Sequence, residues 1–186
     1  MQKTTEPLAS GGSPLLMMLR DTQTAVRWAM CFLGLAKAMC LKPAVCFDID
    51  GTVLINMKNG RTKCQNYMKL LVDACAQAGI SIFYVTARPD EPENRKYTEK
   101  QLRSCGLDLH HTLYMMPARA EYGNYKWHCR RNIESAGYTI LLSVGDQFAD
   151  LTKDKHVSEQ LRDDCFYAGC IGDSRTFAIK LPSEFL

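Results

Sequence analysis

A chain of 186 residues, 46% hydrophobic and 23% charged, has the length and composition of one globular domain with a sizeable core, which excludes disorder as its default state. Its net charge of +3 is too mild to argue for a nucleic-acid or membrane-surface partner without a local patch. Nine cysteines, an odd number with no Cys-x-x-Cys, point to thiols in a reducing, cytoplasmic setting rather than a disulfide framework, with secretion as the alternative.

Residues 1–14 are rich in Thr, Ser, Gly and Pro, and the predicted flexible tail runs to residue 18. From Asp21 to about Met39, Val26, Ala29, Met30, Leu33 and Ala36 recur at helical spacing. The apolar run 28–36 within that helix falls well short of the ~20 residues that span a bilayer, so it is no membrane anchor. It has the length of a signal-peptide core, and a helix packed on a sheet is the competing reading.

Pro43, Ala44, Val45, Cys46 and Phe47 form a short apolar run that reads as a buried strand, and it ends in Asp48-Ile49-Asp50-Gly51-Thr52. Side chains alternate along a strand, so two acids one residue apart share a face, at the point where Gly51 lets the backbone turn. Residues 64–78 carry a helical pattern stopped by Gly79, and 80–86, rich in β-branched and aromatic residues, read as a strand. Pro92 opens a charged helix that closes before Gly106. Residues 112–116 are a third strand, 118–135 a helix, and 138–144 the clearest buried strand. Residues 165–171 and 176–181 are candidates for the last two. Strands alternating with helices predict an α/β fold, a Rossmann-like three-layer sandwich with a mainly parallel central sheet. No internal repeat and no second domain are visible, so 19–186 is read as one domain.

Three of these strands end in polar residues that a parallel sheet would bring together: Asp48 with Asp50, then Thr86-Ala87-Arg88, then Gly145-Asp146-Gln147-Phe148-Ala149-Asp150. Lys126, on the helix before the last of them, adds an ammonium. Four gathered carboxylates repel unless a cation sits among them, and oxygen ligands without histidine or thiolate suit Mg²⁺. Such a site fits magnesium-assisted phosphoryl transfer with a carboxylate nucleophile.

In order and spacing, Asp-Ile-Asp-Gly-Thr, Val-Thr-Ala-Arg-Pro, the lysine of Tyr125-Lys126 and Gly-Asp-Gln-Phe-Ala-Asp-Leu resemble the four motifs of the haloacid dehalogenase (HAD) superfamily. The last motif followed by Arg-Thr-Phe-Ala-Ile-Lys-Leu-Pro is similar to the acid phosphatase branch that includes class B phosphatases and plant vegetative storage proteins. The resemblance covers about residues 43–182, the expected catalytic core. It implies that Asp48 is nucleophile and metal ligand, and that Asp50 protonates the leaving oxygen and then activates water. Thr86 and Lys126 would hold phosphoryl oxygens, and Asp146 would complete a Mg²⁺ site assigned to Asp48, Asp50 and Asp146. Asp150 would orient Lys126 or a metal-bound water, and Arg88 is a candidate phosphate or substrate contact.

The segments between motifs leave little room for a cap domain, only a loop and a helix after the first. An open site of this kind admits a broad range of phosphomonoesters or a phosphorylated macromolecule, and the resemblance implies nucleotides and other small phosphate esters as substrates. Two alternatives are a phosphatase acting on nucleic-acid ends, drawing on the basic residues near Arg95 and Arg131, and an inactive storage or binding module. An oligomer that covers the open site is a further expectation.

Overall fold

The computed structural model describes residues 14–56, 61–107, 111–120, 122–153, 166–170 and 176–182, so the predicted tail over 1–13 and the outer residues of the predicted strand 165–171 lie outside it. Helix α1 spans Pro14–Lys37. Residues 14–18, placed in the tail by sequence, are therefore helical. Pro14 is the first helical residue, where its fixed φ and missing N–H cost nothing, and this start lies upstream of the expected Asp21.

Strand β1 (Pro43–Phe47) is wholly buried. It is followed by two short strands that the sequence reading took as loop, β2 (Leu54–Asn56) and β3 (Thr62–Cys64), paired as an antiparallel hairpin. Three-residue strands are too short to display a period, so they left no alternation to read. Then come α2 (Asn66–Gln77), β4 (Ser81–Pro89), α3 (Pro92–Ser104) and β5 (His111–Met116). Helix α4 (Tyr122–Ser135), β6 (Thr139–Gly145), a 3₁₀ turn (Phe148–Asp150), β7 (Tyr167–Cys170) and β8 (Phe177–Lys180) complete the chain.

Six strands form one sheet in the order β5-β4-β1-β6-β8-β7, parallel except for β7, which runs against β8. Alternate residues of β1 feed opposite layers. Val45 and Phe47 pack with Ala29 and Leu33 of α1, Leu71 and Val72 of α2 and Leu102 of α3. Ala44 and Cys46 face the other way, toward Tyr125, Cys129 and Ile133 of α4. Helices thus cover both faces, the three-layer arrangement expected. Ala29 and Leu33 place the apolar run 28–36 in this core, while Trp28 and Leu35 of the same run are exposed. Among the described residues, no helix is long and apolar enough to cross a membrane.

From β1 the chain moves outward to β4 and β5, then returns through α4 to β6 on the other side of β1. The strand order reverses there. A crevice opens at such a reversal, outside the carboxyl ends of the strands.

Cys64 of β3 and Cys105, just after α3, form a disulfide, a correction to the reading of all nine cysteines as thiols. Pairing depends on the hairpin meeting the end of α3, which spacing does not reveal. The bridge closes a loop of sequence separation 41, for which loss of unfolded-chain entropy predicts about 4 kcal/mol of stabilisation. Replacing both cysteines by alanine should cost that order of stability in urea denaturation, and an unchanged midpoint would contradict it.

Candidate active site

The carboxyl ends of β1, β4 and β6 converge on a cleft of about 300 Å³ lined by Asp48, Asp50, Thr86, Arg88, Lys126 and Asp146. Asp48 follows β1 directly, and its N–H donates to Val144 O of β6 (2.9 Å), which extends the pairing by one residue and fixes the side chain at the strand end. The chain then folds back, with Leu54 N–H on Ile49 O (2.9 Å) and Gly51 N–H on Leu54 O (2.9 Å). Gly51 has φ of 72°, and a Cβ on it would lie 2.8 Å from Asp146 Oδ2. Its missing side chain is what lets the turn after β1 close on Asp146.

Lys126 Nζ donates to Asp48 Oδ1 (2.6 Å) and to Asp150 Oδ1 (2.5 Å), all three side chains being buried. Asp150 also accepts the Gln147 N–H on Oδ2 (2.9 Å), which ties it to the turn that carries it. Gly145 makes room, since a Cβ there would fall 2.1 Å from Asp150 Oδ2. Arg130 on α4 holds the same turn from behind, donating from Nη1 to Ala149 O and Asp150 O (2.9 and 2.7 Å). Thr86 is buried at the floor of the cleft, and its Oγ1 accepts the Arg88 N–H (3.2 Å), leaving the hydroxyl proton to donate elsewhere.

Carboxylate oxygens of Asp48, Asp146 and Asp150 lie within 4.8 Å of one another. Asp50 is not in that cluster. Because β1 ends at Phe47, Asp48 and Asp50 leave the turn toward different partners although both line the cleft. Both Asp50 oxygens are gripped by Arg88, Nη2 to Oδ1 and Nε to Oδ2, each at 2.7 Å, and Asn56 Nδ2 donates to Oδ1 (2.8 Å). Asp150 takes the third place in the carboxylate cluster that the sequence reading gave to Asp50. Arg88, expected on phosphate or substrate, is the ion partner of Asp50 in this structure.

The electrostatics divide the acids. Burial raises Asp48 well above the ordinary carboxylate range, and neighbouring Asp150 raises it further against the opposing pull of Lys126. Burial and Asp150 likewise lift Asp146 to about 6. Burial alone would raise Asp50 too, but Arg88 and Asn56 outweigh it and hold that carboxyl below its ordinary value. Burial acts to lower Lys126, and Asp150 and Asp48 override it so that the ammonium is held above the usual lysine range.

The three buried carboxylates offer oxygen donors alone, with Lys126 on Asp48 and Asp150 and the buried Lys180 ammonium acting on Asp146. That donor set fits a hard divalent cation, which would be held by Asp48 and Asp146 with Asp150 beside them. A testable consequence concerns the metal-free protein. Asp146 has a folded-state pKa above its ordinary 3.8, so folding favours its protonated form, and the stability this gives is lost as pH rises from about 4 to about 6. The loss is on the order of 3 kcal/mol for a shift of this size. Thermal melts with chelator should fall across that window and recover on adding Mg²⁺, which binds the folded state. A flat profile, or no recovery, would contradict the assignment.

The site holds partners that the motifs did not reveal: Asn56, Thr62, Thr98 and Gln101 around Arg88, and Arg130 behind Asp150. Thr98 and Gln101 are buried, uncharged polar residues at i,i+3 spacing amid Lys96, Glu99, Lys100 and Arg103 on α3. That interruption of a charged helix face was the available signal.

A comparison with curated proteins finds no match. Residues 57–183, more than half of the chain, match the family model described as HAD superfamily, subfamily IIIB (acid phosphatase). That span contains Thr86, Lys126, Asp146 and Asp150 and begins after Asp48 and Asp50. Among solved structures, the chain is similar to the class C acid phosphatase from Bacillus anthracis with tungstate bound, at 17% identity and TM-score 0.59, over 78% of this chain and 67% of that one. It is also similar to a chain of the Pnkp1/Rnl/Hen1 complex, at 20% identity and TM-score 0.49, over 57% of this chain and 39% of that one. At these identities the likeness to the acid phosphatase is one of fold.

Proposed function

Because the chain belongs to subfamily IIIB of the HAD superfamily, the acid phosphatases, we propose that it is a Mg²⁺-dependent phosphomonoesterase that works through an aspartyl-phosphate on Asp48. The observation that carries this reading is the placing of Asp48, Thr86 and Lys126 together on one cleft at the reversal of strand order. A bound Mg²⁺ would neutralise the carboxylates and the phosphoryl oxygens so that the two anions can approach.

In the first half-reaction a carboxylate oxygen of Asp48 forms a bond to phosphorus while the ester P–O bond breaks, its electron pair staying on the leaving oxygen. Asp50 gives that oxygen its proton. In the second half-reaction the Asp50 carboxylate takes a proton from water as the water oxygen bonds to phosphorus and the Asp48 carboxylate departs. Arg88 keeps Asp50 in the basic form that the second step needs, and the anionic phosphoryl group arriving beside it raises its affinity for the proton used in the first. An ammonium has three donors, and the two that Lys126 uses on Asp48 and Asp150 leave one for a phosphoryl oxygen. The free hydroxyl proton of Thr86 supplies another.

On the Asp50 side a second cleft, of about 390 Å³, opens between the β2–β3 hairpin and α3, lined by Asn56, Thr62, Asn94, Tyr97 and Gln101. Apart from the paired Arg88 and Asp50 its lining is uncharged, with Pro89 and Tyr97 beside polar side chains, which favours the alcohol portion of a small phosphate ester, a nucleoside among them. Three of the basic residues that would build a nucleic-acid groove are instead paired locally, Arg95 with Asp90, Lys96 with Glu93 and Arg131 with Glu134. Small esters are therefore preferred here over nucleic-acid ends. The test is phosphate release from a panel of nucleoside monophosphates, other small esters and 5′- and 3′-phosphorylated oligonucleotides, with Mg²⁺ or chelator. Metal-dependent release from small esters is expected. Release only from oligonucleotides would favour the end phosphatase, and no release from any ester would favour an inactive module.

A further inference from the structure

The side chains around Asp50 close on themselves. Asn56 Nδ2 donates to Asp50 Oδ1 (2.8 Å), Thr62 Oγ1 donates to Asn56 Oδ1 (3.2 Å), and Gln101 Nε2 donates to Thr62 Oγ1 (2.6 Å). Arg88 Nη1 donates to Gln101 Oε1 (2.6 Å), and Arg88 Nε and Nη2 return to Asp50. The sense is consistent around the circuit: the Thr62 hydroxyl accepts from Gln101 and donates to Asn56, and each amide uses its oxygen on one side and its nitrogen on the other. Half of the circuit lies on or beside the β2–β3 hairpin and half on β4 and α3. Two links join the halves, Arg88 to Asp50 and Gln101 to Thr62, and Gln101 also holds Arg88.

We propose that this circuit, closed by Gln101, positions Asp50 for proton transfer and reserves its Oδ2 as the oxygen that carries the proton. The inference rests on the phosphatase reading above. Oδ1 accepts from both Asn56 and Arg88, which occupies both of its lone pairs. Oδ2 accepts only from Arg88 Nε among the described residues, so one lone pair is left in the carboxylate plane. In the first half-reaction the Oδ2–H bond breaks and its proton goes to the ester oxygen. In the second, Oδ2 takes a proton from the attacking water.

A guanidinium can grip a carboxylate in this way only if something holds the guanidinium. Thr98 Oγ1 and Gln101 Oε1 both accept from Arg88 Nη1, at 2.9 and 2.6 Å. Thr98 is fully buried and Gln101 is 8% exposed, so both acceptors are fixed by packing rather than free to turn. The two halves are also bolted covalently, since Cys64 lies two residues after Thr62 on β3 and Cys105 four residues after Gln101. Gln101 and Thr98 act through Arg88 and are positioning residues.

A residue that places a general acid matters in proportion to how much the leaving group needs its proton. An aryl phosphate expels a stable aryl oxide unaided, whereas an alkyl phosphate must be protonated as it leaves. The experiment measures kcat/KM, which reads the steps through departure of the leaving group, for 4-nitrophenyl phosphate and for a simple alkyl phosphate, with Mg²⁺, in wild type, Gln101→Met, Thr98→Val and Thr98→Ser. In Gln101→Met the loss on the alkyl ester is expected to exceed the loss on the aryl ester by at least tenfold. Thr98→Val should show the same selectivity to a smaller degree, and Thr98→Ser, which keeps the acceptor, should restore the wild-type ratio. The Thr98 pair carries the test alone if Gln101→Met does not fold. Parallel losses on both esters, or no loss on either, would overturn the proposal. Failure of the wild type to cleave even the aryl ester would instead overturn the phosphatase reading beneath it.

Discussion

Asp48→Asn is expected to lower phosphate release by on the order of 10⁴-fold or more, the scale on which removing one member of a catalytic unit stops the unit. An amide cannot form the acyl phosphate, and the neighbouring acids do not substitute for it. Asp50 is turned to Arg88 and Asn56, and Asp150 is tied to Lys126 and the Gln147 N–H. The same change should not unfold the protein. Burial and Asp150 raise Asp48 well above the ordinary carboxylate range, so its ionised form is a cost in the metal-free fold. At pH 7 with chelator, Asp48→Asn should melt no lower than wild type. Retained turnover would contradict the nucleophile assignment, and a large drop in melting temperature would contradict the account of the charge.

Lys126→Met should have the opposite balance, losing activity and stability together. Lys126 is the ammonium held between Asp48 and Asp150, and burial of all three makes its loss equivalent to stranding buried charges. Breaking a buried pair in this way costs about 3–5 kcal/mol. The activity should fall about 10²–10³-fold through loss of one preorganised donor to the phosphoryl oxygens. Urea denaturation with chelator reads the first effect, and adding Mg²⁺ should recover part of it because a divalent cation supplies the missing charge. Stability equal to wild type in chelator would show that Lys126 does not compensate the acids.

What was legible in the sequence followed from burial and from ends. β1, β4 and β6 are central strands flanked by parallel partners, so they read as short apolar runs, and the polar residues at their carboxyl ends converge as a parallel sheet requires. That geometry gathers Asp48, Thr86, Lys126 and Asp146, and the assignment to an acid phosphatase branch agrees with the family match. The hairpin was missed because three residues carry no period. Asp50 lines the same cleft, but its side-chain oxygens stand outside the Asp48–Asp146–Asp150 cluster for a related reason: alternation holds only while a strand continues, and β1 stops one residue before Asp48. The roles of Gln101 and Thr98 and the Cys64–Cys105 bridge depend on which elements meet in space, and no local pattern records that.

The charge pattern of α3 shows the limit most clearly. Its many charged residues read as a solvated face, yet two buried uncharged residues among them, Thr98 and Gln101, point inward to Arg88. A polar residue conspicuous for lacking a charge is a weak signal in isolation, and it becomes informative once a half-buried arginine needs acceptors.

The central claim is that Asp48 receives the phosphoryl group. It is tested most directly by mixing the protein with Mg²⁺ and an ester labelled in its phosphoryl group, quenching in acid within a turnover, and mapping the label by peptide. The account predicts a label on the peptide containing Asp48, acid-stable, cleaved by hydroxylamine, and absent from Asp48→Asn. Turnover with no covalent label on that peptide, or label persisting in Asp48→Asn, would contradict it.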